Sequence, residues 1–233
     1  EARLEVQDCL DLIDYSLNHG TQTSIETQVP DAVPGVTGVI RYHSRGVFAV
    51  VSQSILPLIS THHHLIPALL NGNTVIVKTT KHAPALGQCL AEIAHQAGIP
   101  AGCFNFLHGD GEVSRRLTGH PEIDGVLFTG TAESAISIKK QLAPEYWKIA
   151  VLQSGGRNGT LIWNDAHYEK ALYDTVVSCF LTAGQRYTNG NRVIVHEKIF
   201  DRFLKDLHTL AKQIQVGYQF AEKEPFIGPL VSE

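Results

Sequence analysis

The chain of 233 residues contains no methionine and begins at Glu1, which implies part of a longer translation product. Charge is also scarce: 18% of residues are charged, and 19 basic against 23 acidic side chains leave a formal net charge of -4. Without a basic excess no run of cations can neutralise phosphates, so charge-driven nucleic-acid binding is excluded. Long apolar runs are missing too, since no window reaches the roughly 18 apolar residues that a spanning helix needs. The opening EARLEVQDCLDLID is charged where a signal peptide would be apolar, so no membrane partner and a cytoplasmic setting are expected. Cysteine is sparse and scattered. Cys9, Cys89, Cys103 and Cys179 form no CxxC pair, which excludes a zinc ribbon or disulfide scaffold and reads as four buried thiols.

What is present is apolar patterning, with 43% hydrophobic residues, enough for one or two globular domains. Residues 2–18 carry helical spacing closed by Gly20, and 21–42 read as a hairpin around Pro30, Pro34 and Gly35. Strands are predicted at 46–52, 74–78, 103–109 and 125–130, separated by helices at 59–72, 83–98, 112–120 and 134–143. Near-continuous apolar strands alternating with helices imply an α/β fold, a doubly wound parallel sheet covered on both faces. The pattern restarts with strands at 148–156 and 160–163, a helix near 167–183, a strand at 191–196 and a helix at 198–214. The Pro144-Glu145 turn is the boundary candidate, with the division between 144 and 158 and domains taken as 1–153 and 154–233.

Six stretches carry a resemblance: IPALLNGNTVIVK (66–78), HQAGIPAGCFNFLHGDGE (95–112), HPEIDGVLFTGT (120–131), SGGRN (154–158), TAGQRYTNGNRVIVHEKIFDRF (182–203) and IGPLVS (227–232). In this order and spacing they resemble the aldehyde dehydrogenase superfamily from Gly46 to Glu233, and within it the succinylglutamate-semialdehyde dehydrogenases. The resemblance implies a Rossmann-like NAD(P)-binding domain followed by the opening part of a catalytic α/β domain, with the chain stopping about midway through the latter. It also implies a homo-oligomer formed through the 21–42 hairpin.

In the resembled family a thiolate attacks the aldehyde, an Asn amide stabilises the oxyanion, hydride passes to the nicotinamide, and a Glu activates water against the thioester. The position after Gly184-Gln185-Arg186, where the nucleophile is implied, holds Tyr187, a weak nucleophile at neutral pH. The base position, two residues before Gly155-Gly156, holds Gln153, and an amide does not take a proton from water. The oxyanion position, two residues before Pro57, holds Ile55, which has no donor. Three separate steps lose their side chains together, so an impaired or inactive pseudoenzyme is expected.

The resemblance places cofactor contacts at Lys78 on the adenosine ribose and at Thr129, Gly130 and Thr131, a turn opening a helix whose N–H groups favour a pyrophosphate. Lys81 stands where an acidic ribose partner is implied, which favours either the 2′-phosphate of NADP or a disused site. Ala135 replaces a glycine and is expected to crowd a close backbone approach. The cofactor expectation is therefore NAD or NADP.

Other motifs read blandly. The consecutive His62, His63 and His64 point about 100 degrees apart on a helix and cannot share one ion, so no metal is expected. Arg115-Arg116 and Lys139-Lys140 are solvated faces, Gly109-Asp110-Gly111 is a turn, and Cys103 and Cys179 are core filler. Two functions stand open: an impaired oxidoreductase acting on a small aldehyde or semialdehyde, and a non-catalytic nucleotide-binding or scaffold partner.

Overall fold

In a computed structural model the described residues are 2–20, 25–30, 33–218 and 220–230. They divide into two compact units, Glu1–Ser154 and Gly155–Glu233. Among them no helix is long and apolar enough to cross a membrane.

The first unit opens with helix α1 (Ala2–Tyr15), followed by an antiparallel ribbon of β1 (Thr27–Val29) and β2 (Gly38–Ile40) paired Thr27 to Ile40. The hairpin expected over 21–42 is therefore present at 27–40, while 21–24 and 31–32 lie outside the described residues. The remainder alternates strand and helix: β3 (Val47–Val51), α2 (Pro57–Leu70), β4 (Thr74–Lys78), α3 (Pro84–Gln96), β5 (Phe104–Leu107), α4 (Gly111–Thr118), β6 (Gly125–Gly130), α5 (Ala132–Leu142) and β7 (Ile149–Ser154). The five strands form one wholly parallel sheet in the order β5-β4-β3-β6-β7, the doubly wound α/β architecture expected.

Parity along the strands sorts the side chains onto two faces. Phe48, Val50, Val75, Val77 and Leu127 pack against Leu65 and Ala68 of α2. Ala49, Val51, Val126 and Phe128 pack against Leu117, Ala135, Ile138 and Leu142 of α4 and α5. Val50, Val75, Val77 and Val126 have no exposed surface, each stabilising the sheet by roughly 1.5–3 kcal/mol. Burial on both faces is why these strands read as unbroken apolar runs.

Local chemistry sets the helix ends. Proline at the first turn opens α2 and α3, where its missing N–H costs nothing. Asp110 caps α4, its Oδ1 accepting from Glu112 N at 3.0 Å and Val113 N at 3.3 Å, so the Gly109-Asp110-Gly111 turn serves a helix start. The α2 cap is unusual, because Leu56 there is left-handed with φ 47 and offers no oxygen. The Glu5 carboxylate on α1 takes over, accepting from Leu58 N at 2.7 Å and Ile59 N at 3.0 Å. Glu5→Ala is expected to lower unfolding stability by about 1–2 kcal/mol, read as a lower urea midpoint at unchanged slope. An unchanged midpoint would rule out Glu5 as the cap of α2.

Two expectations need correction. The Pro144-Glu145 turn is not itself the boundary, because β7 (Ile149–Ser154) follows it and pairs with β6 from Gly125 to Gly130; the units divide after Ser154, inside the expected 144–158 range and one residue from the 153/154 division. Lys148 ties that turn into the first unit, its ammonium 2.7 Å from Glu145 and donating to the His120 carbonyl at 2.8 Å. Nor are all four thiols buried: Cys9 is, Cys103 and Cys179 are half-buried, and Cys89 is exposed on α3.

The second unit pairs β8 (Asn158–Ile162) with β9 (Gly190–Val195) in parallel, connected through α6 (Tyr168–Phe180) and followed by α7 (Phe200–Ala211). Phe203 of α7 is wholly buried beside Ile162 and Leu172, with Val193 and Val195 packed against them.

Candidate functional site

A cleft of about 590 Å3 opens at the carboxyl ends of β3, β4 and β6, where open parallel sheets place their ligand sites. Its lining brings together all five positions named as cofactor contacts: Lys78, Lys81, Thr129, Gly130 and Thr131. Strand parity accounts for Lys78. Val75 and Val77 point to α2, so Ile76 and Lys78 point to the α4 and α5 face, where the cleft lies. Only 6% of Lys78 is exposed, and among the described residues no hydrogen bond or ion pair holds its ammonium. Burial pushes its pKa down, the Asp110 charge opposes that shift, and the Lys81 charge adds to it. Lys81 itself is exposed at the rim.

Thr131 caps α5 by accepting from Ser134 N at 3.2 Å. One cap oxygen serves one of the four N–H groups that a helix start leaves without intrahelical partners, so this end can still receive an anion. Ala135 is 6% exposed and packs in the core cluster under α5. Ser114 of α4 and Ser134 and Ser137 of α5 add hydroxyls to the cleft lining.

Gln153 lies on the opposite face. The β6–β7 register sets it directly beside Thr129, whose hydroxyl donates to Gln153 Oε1 at 3.3 Å. That hydroxyl also meets His64 Nε2 at 2.7 Å, joining α2 to the two strands through a buried polar contact. His64 was weighed in the sequence only as one of three possible metal ligands. Its spacing alone gives no hint of this contact, which depends on which strand α2 crosses. Ile55 sits half-buried between β3 and α2, next to the left-handed Leu56.

In the second unit Tyr187 is 38% exposed on the loop between α6 and β9. Its carbonyl accepts from Asn158 Nδ2 at 2.7 Å, and the same amide donates to the Asn189 carbonyl at 3.1 Å. Gly156, at φ +112, runs directly against the Tyr187 backbone. The SGGRN motif is thus a clamp on the residue-187 loop, a role its letters do not announce. Gly156→Ala would drive a methyl to 2.7 Å from Tyr187 Cα at a backbone angle that L residues avoid. A loss of roughly 3 kcal/mol or more is expected in the unfolding of the second unit, followed by Trp163 fluorescence. A loss under about 1 kcal/mol would mean that the loop can retreat at little cost.

Cys179 is the thiol of the second unit. It sits half-buried near the end of α6, and desolvation raises its pKa, which disfavours the thiolate.

Comparison with known proteins adds the following. The aldehyde dehydrogenase family model matches residues 1–233. The chain is 36% identical over 231 residues to the N-succinylglutamate 5-semialdehyde dehydrogenase of Novosphingobium aromaticivorans, covering 99% of this chain and 49% of that protein. Among solved structures it matches aldehyde dehydrogenase from Brucella melitensis biovar abortus 2308 with TM-score 0.93 and 27% identity, over 100% of this chain and 48% of that one. It matches 3,6-anhydro-L-galactose dehydrogenase in complex with NAP with TM-score 0.90 and 28% identity, over 98% and 48%. The chain spans about half the length of the curated relatives it matches.

Proposed function

Since the chain belongs to the aldehyde dehydrogenase family, we propose that it binds NAD(P), with a preference for the 2′-phosphorylated form, while having lost aldehyde oxidation. The observation that carries this reading is Lys78: a buried ammonium facing a polar cleft, held by no hydrogen bond or ion pair among the described residues. Burying a cation without a partner is costly, and a ribose hydroxyl or phosphate oxygen removes that cost when it arrives. The residues present fit the cofactor, with Lys78 for the ribose, the α5 start beside Thr131 for the pyrophosphate, and Lys81 at the rim for a 2′-phosphate. When bound, NAD(P) would supply a hydride acceptor. The chain's own residues at 55, 153 and 187 offer no oxyanion amide, no carboxylate base and no thiol.

Small aldehydes or semialdehydes would be the ancestral substrates, in keeping with the semialdehyde named for the curated relatives. A second copy would pair through the β1–β2 ribbon, whose Val29, Val39 and Ile40 are each more than a third exposed. Neither feature is needed for nucleotide binding.

Titration with NADP and NAD separates this reading from its rivals. NADP is expected to bind more tightly than NAD, and Lys78→Met to weaken both by about 10–100-fold, the weight of a charge-assisted hydrogen bond. Lys81→Glu should reverse the preference between the two. Equal affinities that ignore both substitutions would place any binding elsewhere.

A further inference from the structure

We infer that His64 is a positioning residue for the side chain at position 153, acting through the Thr129 hydroxyl in a fixed proton order. The inference rests on the reading of position 153 as the family's base position and goes beyond it by naming what aims that side chain.

The order follows from counting protons. Thr129 has one hydroxyl proton, and it is directed to Gln153 Oε1 at 3.3 Å. Thr129 Oγ therefore has only lone pairs for its other partner, His64 Nε2 at 2.7 Å, so that nitrogen carries the proton. Thr129 and His64 are 3% and 8% exposed, so water competes little for either contact. Desolvation, aided by the His63 charge, pushes the His64 pKa down to about 4, which leaves a neutral ring with one N–H to allocate. The chain of donors runs from α2 through β6 to β7 and ends on an oxygen. An amide oxygen meets that requirement now, and a carboxylate would meet it equally well. A hydrocarbon at 153 would not, because the Thr129 proton would lose its acceptor.

The side chain at 153 is thus oriented from behind by two groups that belong to the first unit's own helix and strand. The β6–β7 register places 129 beside 153 whatever residue occupies either position. The orienting apparatus for a base is retained while the base itself is an amide.

Nitrogen-15 NMR of the imidazoles in the full chain tests this, with the His64 signals assigned by their loss in His64→Gln. The wild type is expected to show His64 protonated at Nε2 and bare at Nδ1, and Gln153→Glu to leave that pattern unchanged. In Gln153→Leu the Thr129 proton turns back to His64, and the ring proton is expected to move to Nδ1. Should that variant fold poorly, Thr129→Val gives the same answer by removing the acceptor, and the hydrogen-bonded Nε2–H signal should lose its shift. A wild-type ring protonated at Nδ1, or a pattern indifferent to Gln153→Leu and to Thr129→Val, overturns the proposal. None of these signals requires nucleotide binding, so a chain that failed to bind NADP would still report on the relay.

Discussion

A chain carrying Tyr187→Cys alone is expected to release about one equivalent of NAD(P)H per site with an aldehyde and then stop. The thiolate can attack the carbonyl and the hydride can depart, but the resulting thioester meets Gln153, whose amide takes no proton from water. Adding Gln153→Glu should convert the burst into turnover, the new carboxylate receiving the Thr129 proton that the amide oxygen now accepts. Adding Ile55→Asn should raise the rate by about 10²–10³ more, the usual weight of one oxyanion donor. The order of restoration matters because the effects are not additive: neither Ile55→Asn nor Gln153→Glu changes anything while a phenol occupies 187. Stopped-flow absorbance of the reduced nicotinamide distinguishes burst from turnover. Steady turnover by the unaltered chain, abolished by thiol alkylation, would end the reading of lost activity.

Stability is expected to fall by about 3 kcal/mol as the pH drops from 6.5 to 4, through His64. The sign follows from burial. The folded pKa lies below the unfolded one, so below pH 6.5 the unfolded ring gains a proton that the folded ring refuses. The contribution is fully present above the unfolded value and is lost as the pH falls through the folded value of about 4. Desolvation pushes His62 in the same direction, so its loss adds to the slope. Urea unfolding at pH 7, 5.5 and 4 should therefore be steeper in pH for the wild type than for His64→Gln, which keeps an N–H for Thr129 and cannot titrate. Equal slopes would mean that the ring is hydrated in the folded state.

The fold was legible because its strands are buried on both faces and so write themselves as Val, Ile and Phe runs. Gly46 through Leu142 falls into elements within two or three residues of the structure. The division drawn at 153/154 lies one residue from the observed one, although the Pro144-Glu145 turn lies within the first unit, because a turn that breaks a helix looks the same whether the next strand joins the old sheet or begins a new one. The exposure of Cys89 was missed because helical spacing does not fix how much of α3 the sheet covers. The cofactor positions were what the resemblance implied, and the cleft gathers them because they lie at or just beyond strand ends. The His64–Thr129–Gln153 contacts were illegible: they join residues 64, 129 and 153 through sheet order and helix crossing, neither of which is local in sequence. The Asn158 clamp on Tyr187 spans 29 residues and was hidden for the same reason.

A single layer of backbone separates the two chemistries of the first unit. Lys78 reaches the cleft from one side of the sheet and His64 approaches from the other, while Thr129 at the end of β6 both lines the cleft and meets Gln153. A change at Thr129 is therefore expected to be felt on both faces, whereas one at His64 or Gln153 reaches the cleft only through it.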